Sequence, residues 1–266
     1  MALAGEGGVG RVSATIDVRG VIKVYPLADG TERIALDGID LAVAQGEFVC
    51  LLGPSGCGKT TLLNILSGLD RADAGSVRVR APDANRQAVS GYMFQESRLL
   101  PWLSVADNIA FVLDGADHAG RSRRETVSYW LERVGLAGRG DDYPRQLSIG
   151  QQQRVAVARA LAIRPDVLYM DEPFSALDEL TASRMREELL ELWGETSATV
   201  VFVTHNPMEA TFLADRIVVM TGSPGVIAAD YRVSELVPRP RSTDDPRLWE
   251  ASRVAVRALR GRERAA

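Results

Sequence analysis

The chain has almost no lysine. Of its 31 basic residues only Lys23 and Lys59 are lysines, and all the others are arginines. This makes Lys59 informative, because a compact ammonium stands where the chain otherwise uses a planar guanidinium. Cysteine is equally scarce, with only Cys50 and Cys57. Seven residues apart and without neighbouring His or Cys, they form neither a metal pattern nor a disulfide framework, and read as incidental thiols of a reduced protein. No excess of positive charge exists either: 31 Lys plus Arg face 35 Asp plus Glu. That excludes the overall basic field by which a domain recognises nucleic acid. No stretch approaches the ~20 apolar residues of a membrane span, so a membrane role requires a partner. Met1–Gly10 lacks the basic and apolar regions of a signal peptide.

The remaining composition is that of a globular protein. The 266 residues, 46% apolar and 25% charged, suffice for one large α/β domain or two small ones. Residues 1–15 read as a loose leader, 16–237 as the main domain, and 238–266 as a linker with a last helix. Short apolar runs at Phe48–Leu52, Val167–Met170, Val200–Val203 and Ile217–Met220 are continuous, as in strands buried on both faces of a parallel sheet. Val77 and Val79 alternate, which predicts a more exposed antiparallel strand. From about 97 to 162 the pattern is helical, as in Val127–Val134 and Gln152–Ala162, and predicts an insertion in the α/β core. Pro238-Arg-Pro-Arg-Ser-Thr reads as a linker, after which Asp245-Pro246 caps a helix with Leu248, Ala255 and Leu259 on one side.

Three motifs carry chemistry. Gly53-Pro54-Ser55-Gly56-Cys57-Gly58-Lys59-Thr60 fits the phosphate-binding loop, follows a buried strand and opens an apolar-periodic helix beginning Thr60-Thr61. Its glycines let backbone N–H groups surround phosphate oxygens, Lys59 reaches the β- and γ-phosphates, and the Thr60 hydroxyl suits Mg²⁺. Asp171-Glu172 ends the strand Val167–Met170; one carboxylate would hold Mg²⁺ through water while the next polarises the attacking water. Ser148-Ile149-Gly150-Gln151 has capping-box spacing and predicts a helix start, whose free N–H groups favour an anion. Read alone, the carboxylates are more often a solvated strand end and the last motif more often a simple capped helix.

Together, in this order, these motifs resemble the ABC ATPase family over about residues 17–230. The resemblance implies a P-loop NTPase (RecA-like) α/β core with an antiparallel β subdomain and a helical subdomain. It implies ATP and Mg²⁺ as cofactors, and further site residues: Tyr25 stacking on adenine, Gln95 sensing Mg²⁺ and the attacking water, Ser175 and Asp178 in a loop crossing a dimer interface, and His205 contacting the γ-phosphate. In that family the phosphate loop of one protomer faces the signature of the other. With one of each, this chain is expected to pair with itself or with a paralogous ATPase. His118, in a polar loop, receives no role. A GTPase is disfavoured because the Asn-Lys-x-Asp guanine motif is absent.

Two departures stand out. Ile149 occupies the first glycine of the usual Leu-Ser-Gly-Gly-Gln, which predicts weaker closure of the dimer, while Gly150 is retained. Asn206 follows His205 where Asp is frequent, which removes a charge near the histidine. The segment Phe94-Gln-Glu-Ser-Arg-Leu-Leu-Pro-Trp-Leu-Ser-Val and the later Gly222-Ser-Pro-Gly-Val-Ile resemble importers of the nitrate, sulfonate and taurine group. That implies import of a small anionic solute through an integral-membrane permease, with a periplasmic or lipid-anchored solute-binding protein, at the cytoplasmic face of the inner membrane. An exporter, a lipid transporter or a non-transport ABC ATPase is the alternative. Leu99, Leu100 and Trp102 read either as an apolar socket for the permease or as an internal helix anchor. Arg253, Arg257 and Arg260 read as a solvated helix face or a lipid-headgroup contact.

Overall fold

A computed structural model describes residues 15–83, 85–114, 120–196 and 198–260; the leader up to residue 14 and His118 lie outside them. The strands are β1 (Thr15–Pro26), β2 (Glu32–Val43), β3 (Phe48–Leu52), β4 (Ala74–Arg80), β5 (Ser90–Met93), β6 (Val167–Asp171), β7 (Thr199–Thr204), β8 (Arg216–Thr221) and β9 (Val226–Arg232). The helices are α1 (Lys59–Ser67), α2 (Val105–Ala110), α3 (Arg123–Arg133), α4 (Ile149–Ala162), α5 (Glu179–Thr196), α6 (Pro207–Leu213) and α7 (Pro246–Arg260), with a short 3₁₀ turn at Pro144–Gln146.

The continuous apolar runs become the central sheet, in the order β5-β6-β7-β3-β8-β9. Every neighbouring pair is parallel except β8 and β9. These runs do not alternate because both faces of the sheet are buried. Phe48, Cys50 and Leu52 of β3 join one core with Leu168, Met170, Val200 and Phe202, beneath the helices. Val49 and Leu51 join the other with Tyr169, Val201 and Val203, facing α1 and the second sheet. Period-two alternation places successive side chains in different cores, and each must therefore be apolar.

The second sheet, β2-β1-β4, is antiparallel, and Val77 and Val79 lie in its β4 strand opposite Val18 and Ile16. Helix α1 is held between the sheets by Leu62, Leu63, Ile65 and Leu66. Between β5 and β6 the described residues contain only helices, as the pattern at 97–162 predicts. Asn108 fastens the stretch before α2: its amide donates to the carbonyls of Leu100, Leu103 and Ser104 and accepts from Leu100 N–H. Leu99 packs against the core whereas Trp102 is 70% exposed, so the first serves as an anchor and the second faces out.

The segment read as a linker is fastened to the domain. Arg239 pairs with Asp215 at 2.9 Å and donates to Leu213 O. The buried Arg241 donates to the carbonyls of Thr211, Phe212 and Ala214 around the end of α6, and to that of Val237. Burial and the charge of Arg239 push its pKa down to about 10. Beyond it, Leu248 and Ala255 of α7 are buried and Leu259 packs on the core, while Arg253 and Arg257 are exposed. The side chain of Arg260 lies outside the described residues. Among the described residues no helix is long and apolar enough to cross a membrane.

Candidate functional site

The C-terminal ends of β3, β6 and β7, three adjacent parallel strands, each lead into a loop that carries part of the site, the edge at which open α/β sheets bind ligands. After β3, Gly53 N–H donates to Thr204 O at 3.4 Å, and a Cβ on Gly53 would lie 2.3 Å from Met220 O. A glycine is therefore required where the loop leaves the sheet. Gly58 has φ 93° and precedes α1 directly, with no side-chain cap on the first N–H groups of the helix. Such a helix start is a ready anion site. Lys59 is buried, and its ammonium donates to the carbonyls of Gly53 and Pro54, both at 2.9 Å. Ser55 and Gly56 lie at the exposed turn of the loop; the Cys57 thiol is buried, and desolvation raises its pKa.

After β6 come the two carboxylates. Asp171 accepts from the Thr60 hydroxyl at 3.0 Å. Burial raises its pKa and the Thr60 hydrogen bond opposes that, while the charge of Glu172 raises it further. Two hard oxygen donors thus meet, a set that suits Mg²⁺ held with phosphate oxygens and water. Among the described residues no group of three His, Cys, Asp or Glu side chains forms a metal cage. Glu172 has φ 43°, a conformation that costs a non-glycine residue roughly 1 kcal/mol. Its N–H donates to Val203 O at 3.0 Å, which holds the bend. One carboxylate oxygen lies 3.7 Å from the Lys59 ammonium and the other 2.8 Å from His205 Nδ1. A carboxylate only accepts, so Nδ1 carries the proton in that contact. The structure therefore brings Lys59, Thr60, Asp171, Glu172 and His205 into one linked set.

Gln95 joins by a longer route. Its amide donates to Ser175 Oγ at 3.3 Å, and Ser175 donates to Glu172 O at 2.9 Å. Asp178 accepts from Thr181 N–H and caps α5, and that bond lowers its pKa. Tyr25 stands at the other end of α1. Its hydroxyl donates to Asp70 at 2.6 Å, and the Lys23 ammonium, also bound to Asp70, lies 5.0 Å from the ring centroid. Asp70 and Lys23 were not singled out from the sequence, where nothing marks the aspartate of Leu69-Asp70-Arg71 as a tyrosine's partner.

The signature residues do not touch this set. Ser148 caps α4 by a complete capping box with Gln151, Gly150 lies against Thr181 and Leu177, and Ile149 is 58% exposed. Ile149 and Gln152 line an open cleft together with Gln95, Ser97, Leu99 and Arg145. Asn206 proves to be more than a lost charge. Its side chain accepts from Met208 and Glu209 N–H and caps α6, a start that Pro207 at the next position reinforces.

Residues 36–175 match the model of the ABC transporter family. The chain belongs to the ABC transporter ATP-binding family. Over 236 residues it is 42% identical to the bicarbonate transport ATP-binding protein CmpD of Synechococcus elongatus, covering 88% of this chain and 84% of that one. To the nitrate import ATP-binding protein NrtD of the same species it is 44% identical over 246 residues, covering 88% and 87%. Among solved structures, the dimeric post-hydrolysis state of the ATP-binding cassette MJ0796 with ADP and Pi superposes with TM-score 0.71 and 31% identity, covering 82% and 98% of the two chains. The cassette cbiO1 of Clostridium perfringens, part of a cbiONQ transporter complex, gives 0.70 and 27%, covering 85% and 92%. As an ABC ATPase, the chain couples ATP hydrolysis to transport.

Proposed function

We propose that this ABC ATPase powers import of a small anionic solute of the nitrate or bicarbonate kind. It does so as a dimer, seated on a membrane permease at the cytoplasmic face and supplied by a solute-binding protein. The observation that carries the reading is the Lys59–Glu172–His205 linkage at the mouth of the phosphate loop. The resemblance to import subunits over nearly the whole chain supports the choice of solute.

ATP binds with its phosphates in the loop Gly53–Thr60, against the N–H groups from Ser55 onward and the Lys59 ammonium, and its base against Tyr25. Thr60 directly and Asp171 through water would hold Mg²⁺, with Gln95 beside them, and the ion would neutralise phosphate charge. The two oxygens of Glu172 have separate tasks. The one facing His205 is fixed in place, and the one nearer Lys59 accepts a hydrogen bond from the water that attacks the γ-phosphate. His205, half exposed beside Glu172, stands where a γ-phosphate would come within its reach. Ser148, Gly150 and the opening N–H groups of α4 lie apart from this set, and they serve the nucleotide of a partner protomer, with Ser175 and Asp178 at the junction. Replacing Glu172 with Gln is expected to abolish hydrolysis, by at least a hundredfold in single turnover, while ATP binding persists. A variant that hydrolyses ATP at the parent rate would refute the assignment. Recovery of a multi-span permease with the tagged protein, and loss of nitrate or bicarbonate uptake on its deletion, test the transport role.

A further inference from the structure

A second polar pocket adjoins the Glu172–His205 pair, lined by Ser175, Arg186, Asn206 and Glu209 as well as by the pair itself. Its least expected member is Glu209, in the first turn of α6 and only 8% exposed. Burial raises the pKa of this carboxyl, opposed by the Thr204 hydroxyl and by Arg186. A buried carboxylate is costly and contributes little net stability even when paired, so its presence in a packed core calls for another reason.

Its bonds supply one. Thr204 Oγ1 donates to Glu209 at 2.5 Å and accepts from Asn206 N–H at 3.0 Å. The hydroxyl thus spans His205, joining the residue before it to the residue after it. Thr204 O is also the acceptor for Gly53 N–H of the phosphate loop, and Val203 O is the acceptor for Glu172 N–H. The other Glu209 oxygen lies 3.6 Å from Arg186 of α5, and Arg186 pairs at 2.5 Å with Glu179, which follows Asp178 of the dimer loop. The His205 side chain itself is 53% exposed and is held by Glu172. Packing therefore does not aim the imidazole; the clamped backbone around it does.

We propose that Glu209, acting through the Thr204 hydroxyl and braced by Arg186, is a positioning residue that aims His205 Nδ1 at Glu172 and ties that contact to the dimer loop. The proposal rests on the ATPase reading of the site. It predicts that the imidazole loses its fixed tautomer when the brace is cut, whether or not nucleotide is present.

The test uses the full chain with ¹⁵N-labelled histidine and His118→Gln, which leaves His205 as the only imidazole. The parent is expected to show an Nδ1-protonated ring. Glu209→Gln and Thr204→Val, each checked for a parent-like unfolding transition and ATP affinity, are expected to show a mixture of tautomers and a single-turnover hydrolysis rate lower by about tenfold or more. Thr204→Val removes both the donor to Glu209 and the acceptor for Asn206 N–H, and it carries the test alone if Glu209→Gln does not fold. A retained Nδ1–H tautomer, or a parent rate in a folded variant, overturns the proposal. Glu172→Gln separates the two levels. If it still hydrolyses ATP the site reading fails, and if it is inactive while the Glu209 and Thr204 variants match the parent, only this inference fails.

Discussion

Adding one methyl group at Gly225, far from the phosphate loop in sequence, should disable that loop. A Cβ on Gly225 would lie 2.1 Å from the carbonyl oxygen of Cys57, at the centre of the loop, and 3.2 Å from Ala35 O. Carbon atoms of this kind essentially never come within 3.0 Å, so the two backbones must separate by about 0.9 Å. Gly225 cannot easily retreat, because its N–H donates to Ala35 O at 3.0 Å and its carbonyl accepts from Asp37 N–H at 3.1 Å. The loop must yield instead, and its function depends on the directions of its N–H groups. Overpacking of this kind costs about 1–3 kcal/mol, and a displacement near 1 Å at a reacting centre costs up to about a hundredfold in rate. Gly225→Ala is therefore expected to lower kcat/KM for ATP by about ten- to a hundredfold, read in a coupled phosphate-release assay beside a thermal melt. Gly194→Ala is the control, since a Cβ there meets nothing within 4 Å in the last turn of α5, and it should leave activity intact and stabilise slightly. Parent values of kcat/KM and melting temperature for Gly225→Ala would refute the steric argument.

Further outcomes follow from other contacts. Ile149→Gly should strengthen ATP-driven dimerisation, measured by analytical ultracentrifugation of the Glu172→Gln protein, because an exposed β-branched side chain leaves the start of α4; an unchanged or weaker dimer would show that Ile149 does not oppose closure. Asn206→Ala should lower stability in urea by about 1 kcal/mol through loss of the α6 cap, whereas Asn206→Asp should stay within about 0.5 kcal/mol of the parent. Equal losses in the two variants would mean that capping is not what Asn206 contributes. Arg241→Met should cost about 3 kcal/mol, since several buried carbonyls lose their donor together, with kcat unchanged. A loss under about 1 kcal/mol would remove Arg241 as the anchor of the C-terminal segment.

What the sequence discloses here is what short-range chemistry determines. The runs around Phe48, Val167, Val200 and Ile217 are legible as buried strands because no polar residue interrupts them, and the two-sided core explains why none can. The Ser148–Gln151 box is legible because both partners lie within one turn. Glu209 is not, because its partners Thr204 and Arg186 belong to different elements, and a Glu near a helix start ordinarily faces water. Asn206 was legible in principle. Read as a replaced Asp it signals a missing charge, yet Asn-Pro is also an N-cap followed by the favoured first helical residue. The arginine-rich stretch after Pro238 reads as a linker by composition, and only the carbonyls at the end of α6 reveal that Arg241 is an internal donor.

The placement of the chemistry follows from the strand order rather than from the sequence order. Lys59, Glu172 and His205 are widely separated along the chain, yet β3, β7 and β6 are consecutive in the sheet and run in the same direction. β7 is the middle strand, and its last two carbonyls accept from the first residue of the phosphate loop and from Glu172. The loops on either side are thus referenced to one strand end, and the residue after that end is His205. A movement of the Thr204–Asn206 corner must shift both neighbours relative to the imidazole. Hydrolysis should accordingly be more sensitive to substitution at Thr204 than to comparable changes at the far end of β7, where Thr199 Oγ1 accepts from Gly46 N–H. The same Thr→Val substitution at the two ends of one strand compares them directly, since only the Thr204 end bears on the reacting groups.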